Sequence, residues 1–146
     1  MKGMTVIVKK VTQMICGVLL LYGMYIIVNG HLTPGGGFAG GTIIAGVFIL
    51  LIISFGSEFV ALKKEETGSS LLETSGILAF LIIALLGMIV GGAGIFFKNF
   101  LPKGIIGKLF SAGAIPLYNI VVGIEVSAAL LTIFLALLIY RDEVLK

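Results

Sequence analysis

Charge is scarce in this chain: 12% of its 146 residues are Asp, Glu, Lys or Arg, where a soluble domain carries about 25%. That shortage excludes an ordinary water-soluble globule. The few cations stand at the ends of apolar runs, so they read as interfacial anchors and not as a nucleic-acid surface. Cysteine is limited to Cys16, which rules out an intrachain disulfide and leaves a small apolar residue inside the first hydrophobic run. Histidine is limited to His31, and no second His, Cys or close carboxylate stands at metal-ligand spacing. No metal and no cofactor is expected. Internal repeats and linkers are missing too, so residues 1–146 read as one membrane domain.

What the chain has is apolar length. Hydrophobic residues make up 59% of it, collected in four runs at about 11–29, 34–57, 75–97 and 116–140, each near the ~20 residues that cross a bilayer as a helix. The expected fold is all-α, an integral membrane four-helix bundle. Lys9 and Lys10 precede the first run, which is too long for a secretory signal core and has no A-x-A-like site after it. Tyr22 and Tyr25 fall where interfacial rings settle. The stretch from Glu58 to Glu73, with Lys63-Lys64-Glu65-Glu66, reads as an aqueous loop and a solvated face. Ile105 to Ala114 is too short to cross and reads as an interfacial segment.

The chain is organised around Gly35-Gly36-Gly37, the glycine-rich corner between the first two spans. Thr33 is placed to cap the second helix and Pro34 to open its first turn. Gly35, Gly36, Gly37, Gly40 and Gly41 weaken an isolated helix by roughly 1 kcal/mol each relative to alanine, so close helix contact must offset them. Gly37, Gly41 and Ala45 share one face, as do Gly36 and Gly40. This small-xxx-small spacing predicts faces covered by protein. Gly87 and Gly91 repeat the pattern in span three and are expected at a helix contact.

Gly35-x-Gly37-x-x-Gly40 also fits a dinucleotide fingerprint formally, but an apolar span precedes it where a strand is required, and no basic residue is near to meet phosphate. A redox or nucleotide enzyme lacks every ligand set it needs. Two ionisable residues carry the remaining chemistry. Histidine is the side-chain type that changes charge near physiological pH, and His31 reads either as a proton-handling group at the membrane surface or as a corner histidine bonded to backbone carbonyls or a neighbouring subunit. Glu125 lies roughly 13 Å along the last helix from Pro116, inside the hydrocarbon layer, where an ionisable group faces protein or water. Tyr118, Ala128, Ala129, Thr132 and Ala136 share its side. Its readings are cation binding, proton carriage, or pairing with a cation on another subunit, since the spans of this chain hold no Lys or Arg at that depth. Glu58, at the end of span two, reads as a solvated carboxylate.

Seven Lys and Arg (Lys2, Lys9, Lys10, Lys63, Lys64, Arg141, Lys146) share one side of a four-span chain, against Lys98, Lys103 and Lys108 on the other. The positive-inside rule then puts both termini in the cytoplasm and the His31 corner outside.

Gly30-His31-Leu32-Thr33-Pro34-Gly35-Gly36-Gly37-Phe38-Ala39-Gly40-Gly41 resembles the signature of the B subunit of Mrp-type multisubunit sodium/proton antiporters. Phe110-Ser111-Ala112-Gly113, Ile115-Pro116-Leu117-Tyr118-Asn119 and Val122-Gly123-Ile124-Glu125-Val126 resemble the last span of the same family, so the likeness runs from about Val11 to Tyr140. Related subunits occur in archaeal membrane-bound hydrogenase and respiratory complexes. The resemblance implies a small non-catalytic subunit of the cell membrane, partnered by other antiporter subunits and by lipid. It also implies a role in assembly and in the passage of sodium ions, with the main proton-conducting machinery in larger subunits. The rival is a self-assembled small cation transporter or channel using Glu125.

Overall fold

The computed structural model describes residues 3–56, 62–91, 94–109 and 111–144, with side chains given from 67 onward in the third helix and to 141 in the fourth. Among them are four helices, α1 (Val6–Val28), α2 (Gly36–Phe55), α3 (Leu62–Val90) and α4 (Ile115–Val144), and no strand. Each helix has a stretch long and apolar enough to cross a membrane. The chain is a multi-pass membrane protein with a four-helix bundle.

α1 begins five residues before the expected start, because Lys9 and Lys10 do not stop it. Lys9 stays in the helix with its ammonium 5.5 Å from the centre of the Phe55 ring, an arrangement worth about 0.5–1 kcal/mol at an exposed site. α2 begins two residues later than expected. Gly35 and Gly36 take φ of 129° and 66°, the left-handed region that glycine enters without steric cost. Pro34 therefore precedes the helix, and the Thr33 hydroxyl donates back to the Asn29 carbonyl at 3.1 Å and caps nothing in α2.

The largest departure is α3. Residues 62–73, expected as part of an aqueous loop, are helical and continuous with the span. Lys, Glu and Leu are good helix formers, and the hydroxyls interleaved with them turn onto their own helix. Thr74 donates to the Ser70 carbonyl and Ser75 to that of Leu72, both at 2.9 Å. At its other end α3 stops at Val90, seven residues short of the expected 97, and the chain turns back through Gly94 and Phe97, each with φ of 63°. Glu58 and Gly92 lie outside the described residues, as does Phe110.

α1 and α2 are antiparallel, tied where the Met4 amide donates to the Ser54 carbonyl at 2.9 Å. α2 and α4 run parallel: Gly37 lies against Asn119 and Gly123, Gly41 against Gly123 and Val126, and Ile52 packs with Leu135 and Leu138 further along. α3 returns antiparallel along α4. The central pair is thus α2–α4, with α1 against α2 and α3 against α4. One end of the bundle carries the α1–α2 corner and residues 94–114; the other carries Met4, Ser54, Ser69 and Arg141.

Candidate functional site

The glycine corner works as a seat for α4. A Cβ on Gly41 would stand 2.6 Å from the Gly123 carbonyl oxygen, and one on Gly40 would stand 2.7 Å from that of Gly23. Backbone-to-backbone approach of this kind is the way small residues associate helices where lipid supplies no hydrophobic drive. The two faces anticipated on α2 therefore have different partners: Gly37 and Gly41 look to α4, with Ala45 buried further along the helix, and Gly40 looks to α1. Gly36 does not share the α1 contact of Gly40; it faces the Asn119 side chain and the Gly30 carbonyl.

Asn119 was not marked as a functional residue by its sequence context. Its amide lies between Gly30 and Gly36, the two sides of the corner. The signal was available: an amide in the first turns of an apolar helix needs a partner, and the glycine corner offers exposed backbone. His31 follows Gly30 in this corner. Both ring nitrogens are fully buried and have no hydrogen-bond partner, as is true of the Asn119 amide nitrogen. The expected bond from His31 to backbone carbonyls is thus not made among the described residues.

Among the described residues, the atoms nearest to Gly87 and Gly91 from beyond α3 belong to Lys98 and not to another helix. Above Gly87 lies the backbone of Lys98, and above Gly91 the Lys98 side chain, whose ammonium donates to the Gly91 carbonyl. Their missing side chains admit the return segment after α3, where a lysine caps the negative end of the helix dipole. Asn99 fixes the rest of that segment. Its Oδ1 accepts from the Ala114 amide at 2.9 Å and the Leu101 amide at 3.3 Å, and its Nδ2 donates to the Leu101 carbonyl at 2.8 Å.

Glu125 sits in a different seam from His31. It is half-buried on α4, and its Cβ lies 2.8 Å from where a Cβ on Gly76 of α3 would be. Only a glycine lets α3 pass that close. Two members of the stripe expected beside Glu125, Tyr118 and Thr132, meet α3 of the same chain. Tyr118 stacks edge-on with Phe80 at 5.2 Å, and the Thr132 hydroxyl lies 2.9 Å from that of Ser69. Ser69, Glu73 and Gly76 follow at helical spacing on the facing surface of α3. Glu73, placed by the sequence reading at the edge of a loop, is a half-buried carboxylate within the apolar stretch Thr67–Val90. A groove of about 280 Å³ runs beside this seam, with Phe48, Ser69, Leu72, Ser127 and Ala128 among its walls. Among the described residues no group of three His, Cys, Asp or Glu could hold a metal ion.

Comparisons with known proteins agree on a kinship. The profile of a family described as a domain related to the MnhB subunit of Na+/H+ antiporter matches residues 7–132. An uncharacterized protein of Methanocaldococcus jannaschii, MJ1307, is 38% identical over 138 residues, 88% of this chain and 50% of that protein. A putative antiporter subunit mnhB2 of Staphylococcus aureus is 36% identical over 91 residues, 62% of this chain and 64% of the relative. The chain thus spans about half to two thirds of the length of these relatives. A chain in the structure of the membrane-bound sulfane sulfur reductase, an archaeal respiratory membrane complex, superposes with a TM-score of 0.72 at 32% identity. That match covers 89% of this chain and 56% of the other.

Proposed function

We propose a function from one premise: the chain belongs to the family of domains related to the MnhB subunit of Na+/H+ antiporters. It serves as a small non-catalytic subunit of a multisubunit Na+/H+ antiporter, or of the antiporter-like membrane part of a respiratory complex. Its glycine corner supports assembly, and Glu125 takes part in the path of sodium ions or protons. Any reaction chemistry of the complex resides in other chains. Both termini face the cytoplasm, which labelling of a Thr5→Cys variant in intact cells and in inverted vesicles checks.

The observation that carries the reading is the α3–α4 seam. A carboxylate at mid-span faces a glycine and lies on a stripe with Tyr118 and Thr132, while no Lys or Arg lies between Thr67 and Val90 or between Ile115 and Tyr140. An intramembrane carboxylate without a cation of its own chain is expensive to keep, and such residues mark ion pathways and proton relays. The test is Glu125→Gln in the whole complex, purified and reconstituted. Expected is a loss of sodium-driven pH change by about tenfold or more with the subunit complement unchanged. Normal antiport in the intact variant complex would falsify the ionic role.

A further inference from the structure

Beside the contact of Ile52 with Leu135 and Leu138, a groove of about 300 Å³ lies between α2 and α4. Ile52 and Ile53 of α2 form one wall; Phe134, Leu137, Leu138 and Arg141 of α4 form the other. The four α4 residues follow at intervals of three and four, which places them in one stripe. That stripe is roughly 10 Å long, at about 1.5 Å per residue. Leu137 is 67% exposed, so the groove opens on the lateral surface of the bundle.

The groove changes chemistry along its length. Its apolar residues belong to the spans Gly36–Phe55 and Ile115–Arg141, and Arg141 is the last residue of the second. Tyr140 beside it is exposed, a ring of the kind that settles at a membrane–water boundary. The bond from the Met4 amide to the Ser54 carbonyl brings the start of α1 to the same end, where Lys9 reaches the Phe55 ring. The groove thus runs from hydrocarbon depth up to a cation at headgroup level.

Apolar walls alone select nothing in a bilayer, because an acyl chain gains no hydrophobic drive by leaving its neighbours. Selection falls to Arg141, the one charged residue among the described residues of the lining. A guanidinium offers five donors in a fork that matches phosphate oxygens, enough to serve a protein partner and a phosphate together. Basic pockets between transmembrane helices recognise anionic headgroups in this way. A phospholipid supplies both halves of the complement in one molecule, a chain for the walls and a phosphate for Arg141. A zwitterionic headgroup fits less well, since its own ammonium competes for that phosphate.

We propose that the α2–α4 groove ending at Arg141 is a binding site for an anionic phospholipid. One acyl chain lies along Ile53, Phe134 and Leu137, and the headgroup phosphate sits on the Arg141 guanidinium. The site is separate from the α3–α4 seam, so it stands or falls independently of the ionic role of Glu125.

The test is photolabelling of the whole complex in phosphatidylcholine nanodiscs. The probe is a trace of phosphatidylglycerol with a diazirine on its acyl chain, and labelled residues are mapped by mass spectrometry. Met14 and Val18, exposed on α1, report ordinary lipid contact. Expected is labelling of Ile53, Phe134 and Leu137 several-fold above that at Met14 and Val18. Unlabelled phosphatidylglycerol should compete several-fold better than added phosphatidylcholine. Arg141→Gln should remove this headgroup preference, Arg141→Lys should keep part of it, and Ile53→Trp should fill the groove and abolish labelling there. Labelling at Met14 and Val18 should stay constant in all three. A groove labelled no more than α1, equal competition by the two lipids, or an unchanged preference in an intact Arg141→Gln complex overturns the site. The competition in the unaltered complex decides without any variant, and an unlabelled groove replaces the lipid with a protein occupant.

Discussion

Two glycines one turn and a residue apart on α2 carry opposite expectations. Gly41 faces the Gly123 backbone and the Val126 side chain, whereas a Cβ on Gly46 would have nothing within 4 Å. Gly41→Val forces α2 and α4 apart, an overpacking cost of about 1–3 kcal/mol. Gly46→Ala relieves the helix of a flexible residue and gains roughly 0.5–1 kcal/mol. Melting of the detergent-solubilised complex checks both. Equal melting temperatures for the two variants would show that the glycine face is not the contact. This face was legible in sequence because i, i+4 spacing of small residues in an apolar helix has few other uses. Glu125 was legible for a related reason, a lone carboxylate in an apolar run. Glu73 was not, because a carboxylate that follows Lys63-Lys64-Glu65-Glu66 looks like the end of a charged loop. Only the helix that continues through those residues puts it on the same surface as Gly76.

At the level of elements, the spans followed from apolar length, while their ends followed from local chemistry that length does not encode. Thr33 and Pro34 form a plausible helix start by type, yet two left-handed glycines after them delay α2. Residues 94–97 were read as the end of span three and 105–114 as an interfacial segment, and the organisation of the stretch around Asn99 had no periodic signal. That side chain makes three hydrogen bonds to backbone groups 2 and 15 residues away. Asn99→Ala leaves the Ala114 amide without its acceptor at the start of α4, a loss of about 1–3 kcal/mol for a buried donor. Asn99→Asp keeps an acceptor for that amide and gives up only the donation to Leu101. Limited proteolysis between Pro102 and Lys108 should therefore quicken strongly in Asn99→Ala and less in Asn99→Asp. Identical rates in both variants and the parent would mean that the segment is held by its apolar contacts alone.

The molecule as a whole buries little of itself. Within the apolar windows of the four spans, 17–33% of residues are buried inside the bundle, so most of the lateral surface meets lipid or other chains. α1 and α3 flank the central α2–α4 pair, and their outward sides carry large apolar residues such as Met14, Val18, Leu71 and Ile89. Lipid satisfies such faces as well as protein does, because helices in a bilayer gain no hydrophobic drive from meeting. The distinction lies in mass and composition: tagged at this subunit and extracted in mild detergent, an accessory chain should bring several different membrane subunits with it in fixed proportion, seen by native mass spectrometry. Antiporter subunits alone would identify a secondary exchanger, and iron–sulfur subunits alongside would identify a redox-driven assembly; either keeps the accessory role. A monodisperse assembly of identical copies that exchanges sodium for protons by itself would replace it with the small-transporter reading. In that case the Glu125 seam would carry the whole transport reaction and not one stretch of it.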